Sequence, residues 1–161
     1  MYFGEAQASI DDKGRLNTPR AFVTQMEAND HETWFMTRGF DRFVFFFEKS
    51  QWEQVLKRIE THAPLDPRML AFRRMFIGGA AKVKRDAQSR FLIPQHLREY
   101  AKLDKEVCVL ALEDHLEIWN KDVWISTQEG QMELYKQMAE ELFGAATVPA
   151  IATATEGVQG Q

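Results

Sequence analysis

The chain contains the same short block twice, 75 residues apart, and this duplication constrains its fold more than any other feature. The first block reads Asp-Asp-Lys-Gly-Arg-Leu-Asn-Thr-Pro over 11–19, and the second reads Asp-Ala-Gln-Ser-Arg-Phe-Leu-Ile-Pro over 86–94. Of the nine Asp residues, only Asp11 and Asp86 have an Arg four positions later, and each Arg has a Pro four positions beyond it. A repeat of about 45 residues is too small to bury an adequate core alone. The duplication therefore predicts one pseudo-symmetric unit in which strands of the two copies pair or interleave.

Both repeats are predicted to have the same order of elements. Short strands at about 5–10 and 79–85 run into a turn. A second short strand then leads to a Pro, which suits the first turn of a helix because it fixes φ and lacks an N–H. Such helices are predicted at about 19–27 and 94–101, followed by hairpins rich in β-branched and aromatic residues over 33–47 and 106–120.

Capping patterns predict the remaining helices. The capping-box spacing that begins at Ser50 predicts a helix with this serine as its N-cap. Asp66-Pro67 predicts a second helix that reaches about Phe76. After the second repeat, Asn120 is expected to cap one long helix that runs to about Phe143.

The domain organisation follows from these elements. The Ala-, Thr- and Gly-rich tail would bury little surface, so we expect it to be disordered. The predicted segments are a first repeat at 1–50, linking helices at 51–76, a second repeat at 77–124, a C-terminal helix at 125–144 and a disordered tail at 145–161.

Charge is spread unevenly along the chain, although the net charge is only −4. Residues 66–105 carry ten basic and four acidic side chains, whereas residues 106–161 carry two basic and ten acidic ones. The basic segment could face an anionic partner. It could equally be a solvated surface that pairs with acidic neighbours.

Several classes of protein are excluded by composition. The single cysteine, Cys108, allows no internal disulfide, and its apolar strand favours a buried, inert thiol over a nucleophile. The start of the chain lacks the features of a secretory signal. The longest apolar run, Phe43–Phe47, is far shorter than the ~20 residues of a membrane span and is interpreted as a buried strand. We therefore expect a soluble, cytoplasmic protein without a membrane partner.

The repeated Asp-x-x-x-Arg spacing lies in a loop between two short strands. Asp11 and Asp86 can there accept turn N–H bonds and hold the guanidinium of Arg15 or Arg90 in one orientation. A guanidinium held this way can bind a guanine edge or a phosphate with two hydrogen bonds, which a lysine cannot do. The alternative is a turn that the Asp–Arg pair stabilises without any ligand.

These blocks resemble those of the MraZ family, bacterial regulators with two tandem SpoVT–AbrB-type domains. The resemblance covers about residues 1–143. It includes, besides the two blocks, the opening Met1-Tyr2-Phe3-Gly4 and the hairpin ends at Phe45–Phe47 with Trp52 and at Leu116–Trp119.

The resemblance implies both a fold and a function. The fold is α+β, a β-rich double swapped-hairpin (AbrB-like) barrel with peripheral helices. The function is that of a nucleoid-associated repressor, a ring-shaped homo-oligomer on double-stranded DNA that binds short G-rich direct repeats. Those repeats lie upstream of the division and cell-wall operon, which begins with the regulator's own gene. By the motif match, Arg15 and Arg90 contact DNA, Lys13 supports them, and Asp11, Gly14 and Asp86 position the loops.

The second block departs from the family pattern at Ser89, where the family usually has Gly. If this position requires a positive φ, a serine adopts it at some energetic cost. In the first block, Asn17-Thr18 replaces the usual apolar residue before the Pro. We therefore expect Arg15 to contact DNA, and whether Arg90 does so in the same way depends on the second loop.

Other residue patterns indicate little chemistry. Glu113, His115 and Glu117 would share one face of a strand and could hold a metal, but the solvent face of a hairpin is the favoured interpretation. Gly78-Gly79 lacks the ending of a phosphate-binding loop. No catalytic triad or carboxylate pair is evident, so we predict no enzyme, no cofactor and no metal.

A second function remains open. AbrB-type folds also serve as antitoxin-like interaction modules that act through a protein partner, and the acidic C-terminal part could bind a basic one. The orientation of the Arg loops discriminates the two functions, because a DNA-binding regulator needs both loops on one face.

Overall fold

The computed structural model describes residues 1–28 and 33–144, so the tail predicted at 145–161 lies outside the described residues. Of the described residues, those up to Trp124 form one compact unit, and those from Ile125 to Gly144 belong to a second. The strands are β1 (Tyr2–Ile10), β2 (Arg15–Asn17), β3 (Thr33–Arg38), β4 (Phe43–Glu48), β5 (Ala81–Lys84), β6 (Arg90–Leu92), β7 (Glu106–Glu113) and β8 (His115–Asn120). The helices are α1 (Arg20–Glu27), α2 (Lys49–Glu60), α3 (Pro67–Phe76), α4 (Gln95–Tyr100), α5 (Lys121–Gly130) and α6 (Met132–Phe143).

The strands of the two repeats interleave in one sheet of the order β5-β3-β4-β8-β7-β1-β2-β6. Strand β1 pairs with β7, β5 with β3, β2 with β6 and β4 with β8, so each of these ladders joins one repeat to the other. A bridge between Arg85 and Phe91 brings the two end strands together, and the barrel is nearly closed. The predicted double swapped-hairpin barrel is therefore confirmed, with β1 longer than expected because it pairs with β7 along its length.

Apolar side chains pack on both faces of the sheet. The barrel interior holds Leu16, Phe22, Trp34, Phe46, Phe91, Leu116 and others, all almost fully buried. Helices α2 and α3 cover the outer face of β3 and β4, where the rings of Phe45 and Phe47 lie against those of Phe76 and Trp52. The same apolar cluster also contains Phe43, Cys108 and Trp119. Every residue of β4 is consequently buried, as the interpretation of Phe43–Phe47 predicted.

The second covered face corrects the interpretation of the β7–β8 hairpin. The ring of His115 lies 5.2 Å from that of Phe45 and 5.7 Å from that of Phe47, and only 19% of this side chain is exposed. Glu117, on the same face, is also largely buried. The alternating pattern could not reveal this, because the aromatic side chains that lie against this side of the hairpin belong to β4, which is distant in sequence.

Two details of the helices also differ from prediction. Helix α2 begins at Lys49, so Ser50 is not its N-cap, because Glu48 still pairs with Trp34 and the strand runs directly into the helix. The single helix predicted after the second repeat is two, separated near Gly130, whose backbone freedom makes it a poor residue for a helix interior. Asn120 does cap α5, since its Oδ1 accepts the N–H groups of Asp122 and Val123.

Over the described ranges, none of the helices combines the length and apolarity that crossing a bilayer requires.

Candidate nucleic-acid interface

The first Asp–Arg loop is built around one carboxylate. Oδ1 of Asp11 accepts the backbone N–H groups of Lys13 and Arg15, each at 3.0 Å. The N–H of Gly14 donates to the Asp11 carbonyl at 2.9 Å, which closes the turn. Gly14 has φ +84°, a left-handed conformation that favours glycine.

The second loop has the same hydrogen bonds. Oδ1 of Asp86 accepts the N–H groups of Gln88 and Arg90, each at 2.9 Å, and the Ser89 N–H donates to the Asp86 carbonyl at 3.0 Å. Ser89 has φ +58°, so the serine takes the left-handed conformation that Gly14 takes in the first loop. The departure at Ser89 therefore leaves the loop geometry unchanged.

Each loop holds its arginine through one nitrogen. Nε of Arg15 lies 2.7 Å from Asp11 Oδ2, and Nε of Arg90 lies 2.8 Å from Asp86 Oδ2. The two side chains are 29% and 22% exposed, so both guanidinium groups are partly sheltered rather than free in solvent. Fixing Nε orients the guanidinium and leaves its two terminal nitrogens for other acceptors.

The pKa of each loop carboxyl is held below its ordinary value. The largest cause is the backbone N–H of Arg15 for Asp11 and of Arg90 for Asp86, and the hydrogen bond from each guanidinium adds to it. Hydrogen bonds to the charged form of a carboxyl favour that form. Both loops therefore contain an ionised Asp opposite an Arg at neutral pH.

Pairing of β2 with β6 brings the two loops onto one face. Leu16 lies opposite Phe91, and both point into the barrel core. Side chains alternate along a strand, so their neighbours Arg15 and Arg90 lie on the outer face of this two-stranded ribbon. Nη1 of Arg90 also lies 3.8 Å from Asp11 Oδ2, so the loops form one connected site.

The loops also support each other through the backbone. The N–H of Ile93 donates to the Gly14 carbonyl at 3.0 Å, and the N–H of Thr18 donates to the Ser89 carbonyl at 3.4 Å. Thr18 and Ile93 occupy equivalent positions in the two repeats, so the pattern follows the pseudo-twofold symmetry of the barrel.

The remaining predicted residues differ between the loops. Lys13 is exposed at the tip of the first loop, and it forms no ion pair with any residue that the structure describes. The second loop has Gln88 at the equivalent position. Sequence reasoning assigned no role to Arg98, whose guanidinium packs against Gly14. Its signals in the sequence were its place in the basic segment and its position four residues after Pro94, at the Leu-Arg that ends the second block of the family resemblance.

The metal site that the β7–β8 hairpin could have formed is absent. Glu113 lies at the hairpin turn with φ +61°, and the ring of His115 forms hydrogen bonds with the carboxylates of Asp114 and Glu117. Within residues 1–28 and 33–144, no group of three or more His, Cys, Asp or Glu side chains could hold a metal ion.

Two interleaved repeats in one barrel, each with an Asp-held Arg loop, define a protein of the tandem SpoVT–AbrB class. A family model described as "MraZ protein, putative antitoxin-like" matches residues 1–71 and 76–144. The chain is 34% identical over 142 residues to the transcriptional regulator MraZ of Carboxydothermus hydrogenoformans, an alignment that covers 88% of this chain and 96% of that relative. The chain belongs to the MraZ family.

Proposed function

We propose that this chain is a sequence-specific, DNA-binding transcriptional repressor without enzymatic activity. Its sites would be short G-rich direct repeats upstream of the division and cell-wall operon, including its own promoter, and it would act in the cytoplasm on the nucleoid. The observation that carries the proposal is the position of Arg15 and Arg90 on one face of the β2–β6 ribbon. The relative from Carboxydothermus hydrogenoformans is named a transcriptional regulator, which agrees with it.

The chemistry of the loops suits base recognition. A guanidinium whose Nε is fixed by Asp11 or Asp86 can donate its terminal N–H groups to O6 and N7 of one guanine. A two-stranded ribbon fits the major groove, which is about 12 Å wide. Because each loop Asp is paired with Arg, the carboxylates present less negative charge to DNA phosphates. Lys13 would contact the backbone.

Assembly into a ring-shaped homo-oligomer would place several ribbons along one stretch of DNA, so that weak contacts add through effective concentration. The first unit exposes apolar side chains that such an assembly could cover, among them Phe3, Phe40 and Met75. Light scattering should show a species several times larger than the 18.7 kDa chain. If the protein remains a monomer throughout the micromolar concentration range, the ring is ruled out.

Substitution of Arg15 tests the DNA-binding proposal. Arg15→Ala should cost roughly 1–3 kcal/mol of binding free energy per contacting subunit and relax preference at one base. Lys13→Ala should instead weaken binding to operator and scrambled DNA alike and lower the salt dependence. Fluorescence anisotropy measures both effects, and a thermal melt confirms that the variants fold. A folded Arg15→Ala protein with unchanged operator affinity would overturn the proposal.

A second candidate function is that of an antitoxin-like interaction module. The description of the matching family model favours it. Helix α6 also exposes Leu134, Tyr135, Leu142 and Phe143 in the acidic part of the chain, where a basic partner could bind. Loss of operator binding in Arg15→Ala would favour the regulator, and unchanged binding would favour the module.

A further inference from the structure

Besides Lys13 and Gln88, the two halves of the candidate interface differ at a residue of the helix that follows each loop. Arg98 of α4 and Val23 of α1 occupy equivalent positions in the two repeats, as do Gly14 and Ser89. A Cβ built on Gly14 would lie 2.5 Å from Cζ of Arg98 and 2.8 Å from its Nε and Nη1. The Arg98 guanidinium therefore fills the space that a side chain at position 14 would need, and it lies against the tip of the first loop.

Within the described part of the chain, the Arg98 guanidinium is held in place by a hydrogen bond to the backbone and not by an ion pair. Its Nε donates to the Ile93 carbonyl at 3.0 Å, and the Ile93 N–H donates to the Gly14 carbonyl at 3.0 Å. Among the residues that the structure describes, Arg98 forms no ion pair, whereas Arg15 and Arg90 each pair with an Asp. Burying a charge in part without a partner is costly, so an external anion would stabilise this arrangement.

Space for such an anion is available beside Arg98. An open groove of about 530 Å³ adjoins it, lined also by Gln95, Glu99, Lys102, Leu103 and Asp104. A guanidinium with free terminal nitrogens binds phosphate oxygens with two hydrogen bonds. The groove is too open and too polar to enclose a small apolar ligand.

We propose that Arg98 binds a backbone phosphate of the DNA next to the base that Arg15 contacts, an inference that rests on the proposed function. The half of the interface around the first loop would then contain two phosphate-binding cations, Lys13 of the loop and Arg98 of α4, whereas Gln88 and Val23 occupy these positions in the other half. A ribbon with true twofold symmetry would bind a site equally well in either direction. Unequal phosphate contacts would favour one orientation of the ribbon on each site. Direct repeats require such a preference, because all of their copies run in the same direction.

The test is the salt dependence of operator binding by the full-length protein, measured by anisotropy. Arg98→Gln should lower the slope of log K against log salt by about 0.9 for each phosphate that it no longer neutralises, with little change in base preference. Arg98→Lys should restore most of the slope because it restores the charge. The control Arg68→Ala removes another exposed arginine of the basic segment and should leave the slope unchanged.

Two results would overturn the inference: an unchanged slope in folded Arg98→Gln, or an Arg98→Lys slope as low as that of Arg98→Gln. If Arg98→Gln does not fold, the double variant Val23→Arg, Ser89→Gly tests the same claim. This variant adds a phosphate-binding arginine to the second half, so it must raise the slope, and an unchanged slope overturns the inference.

The outcomes for the two arginines separate this inference from the proposed function. If Arg15→Ala abolishes binding while Arg98→Gln changes nothing, this inference fails and the proposed function stands. If Arg15→Ala leaves binding unchanged, the proposed function itself fails.

Discussion

Arg90 of the second repeat reaches Asp11 of the first, with its Nη1 3.8 Å from Oδ2 of that carboxylate. The same oxygen accepts the hydrogen bond from Nε of Arg15 at 2.7 Å. Asp86, by contrast, is paired with Arg90 alone among the described residues. The two carboxylates therefore differ in the number of arginines they contact, although their loops have the same hydrogen bonds.

The first prediction compares these carboxylates. Asp11→Asn should weaken operator binding more than Asp86→Asn, because Asp11 orients one guanidinium and also contacts the other. Anisotropy with operator DNA measures the difference, and thermal melts of both variants serve as the control. Equal losses would show that the contact from Arg90 to Asp11 has no effect on binding.

The second prediction concerns the two faces of the β2–β6 ribbon. Phe91 is fully buried and packs edge-on against Phe46, so Phe91→Ala should lower the free energy of unfolding by about 3–5 kcal/mol. Leu92→Ala is the matched control, since this neighbour is 56% exposed and should change stability by less than about 0.5 kcal/mol. Chemical denaturation measures both, and a comparable loss at Leu92 would contradict the assignment of faces.

The third prediction is a pH dependence of stability that His115 causes. Burial lowers the pKa of its ring, but hydrogen bonds from the ring to Glu117 and Asp114 outweigh burial and leave the pKa above 6.5. A raised pKa means that the folded state binds the proton more tightly. This stabilisation is complete below about pH 6.5 and is lost as pH rises through the folded-state pKa.

Thermal melts across this pH window test the assignment. His115→Asn should flatten the decline in melting temperature, whereas His62→Asn, at the exposed end of α2, should keep it. If the melting temperature of His115→Asn falls with rising pH as much as that of the wild type, another group causes the effect.

The fourth prediction concerns the single thiol. Burial, with a contribution from Glu5, raises the pKa of Cys108 to about 12. At pH 8 only about one molecule in ten thousand would then carry the reactive thiolate. Ellman's reagent should leave the native protein unlabelled and label it once it is unfolded in guanidinium. Rapid labelling of the native protein would show that the strand β7 opens readily.

The fifth prediction separates two helix starts. Oδ1 of Asp66 accepts the N–H of Arg68 at 2.8 Å, so Asp66→Ala should lower the melting temperature. Ser50 lies within the first turn of α2 and makes no capping hydrogen bond, so Ser50→Ala should leave the melting temperature unchanged. A clear loss of stability in Ser50→Ala would restore the capping box that the sequence suggested.

The sequence determined the features that depend on neighbouring residues. The loop around Asp11 could be predicted because its carboxylate binds N–H groups two and four positions ahead, and the second block repeats that spacing. Asp66-Pro67 and Asn120 predicted their helix starts for the same reason. The duplication also predicted that the two copies would share one sheet, because neither could bury a core alone.

Only the tertiary structure decided how distant segments meet. Pairing of β2 with β6 places Arg15 and Arg90 on one face, and it joins strands that lie 75 residues apart in the sequence. The pairing of β4 with β8 sets the ring of His115 against Phe45 and Phe47. The ladder between β3 and β4 extends to Glu48, so Ser50 cannot be a cap. The contact of Arg98 with Gly14 likewise joins residues from different repeats. Local patterns carry no information about such contacts, because their free energy arises from surfaces that exist only once the barrel has closed.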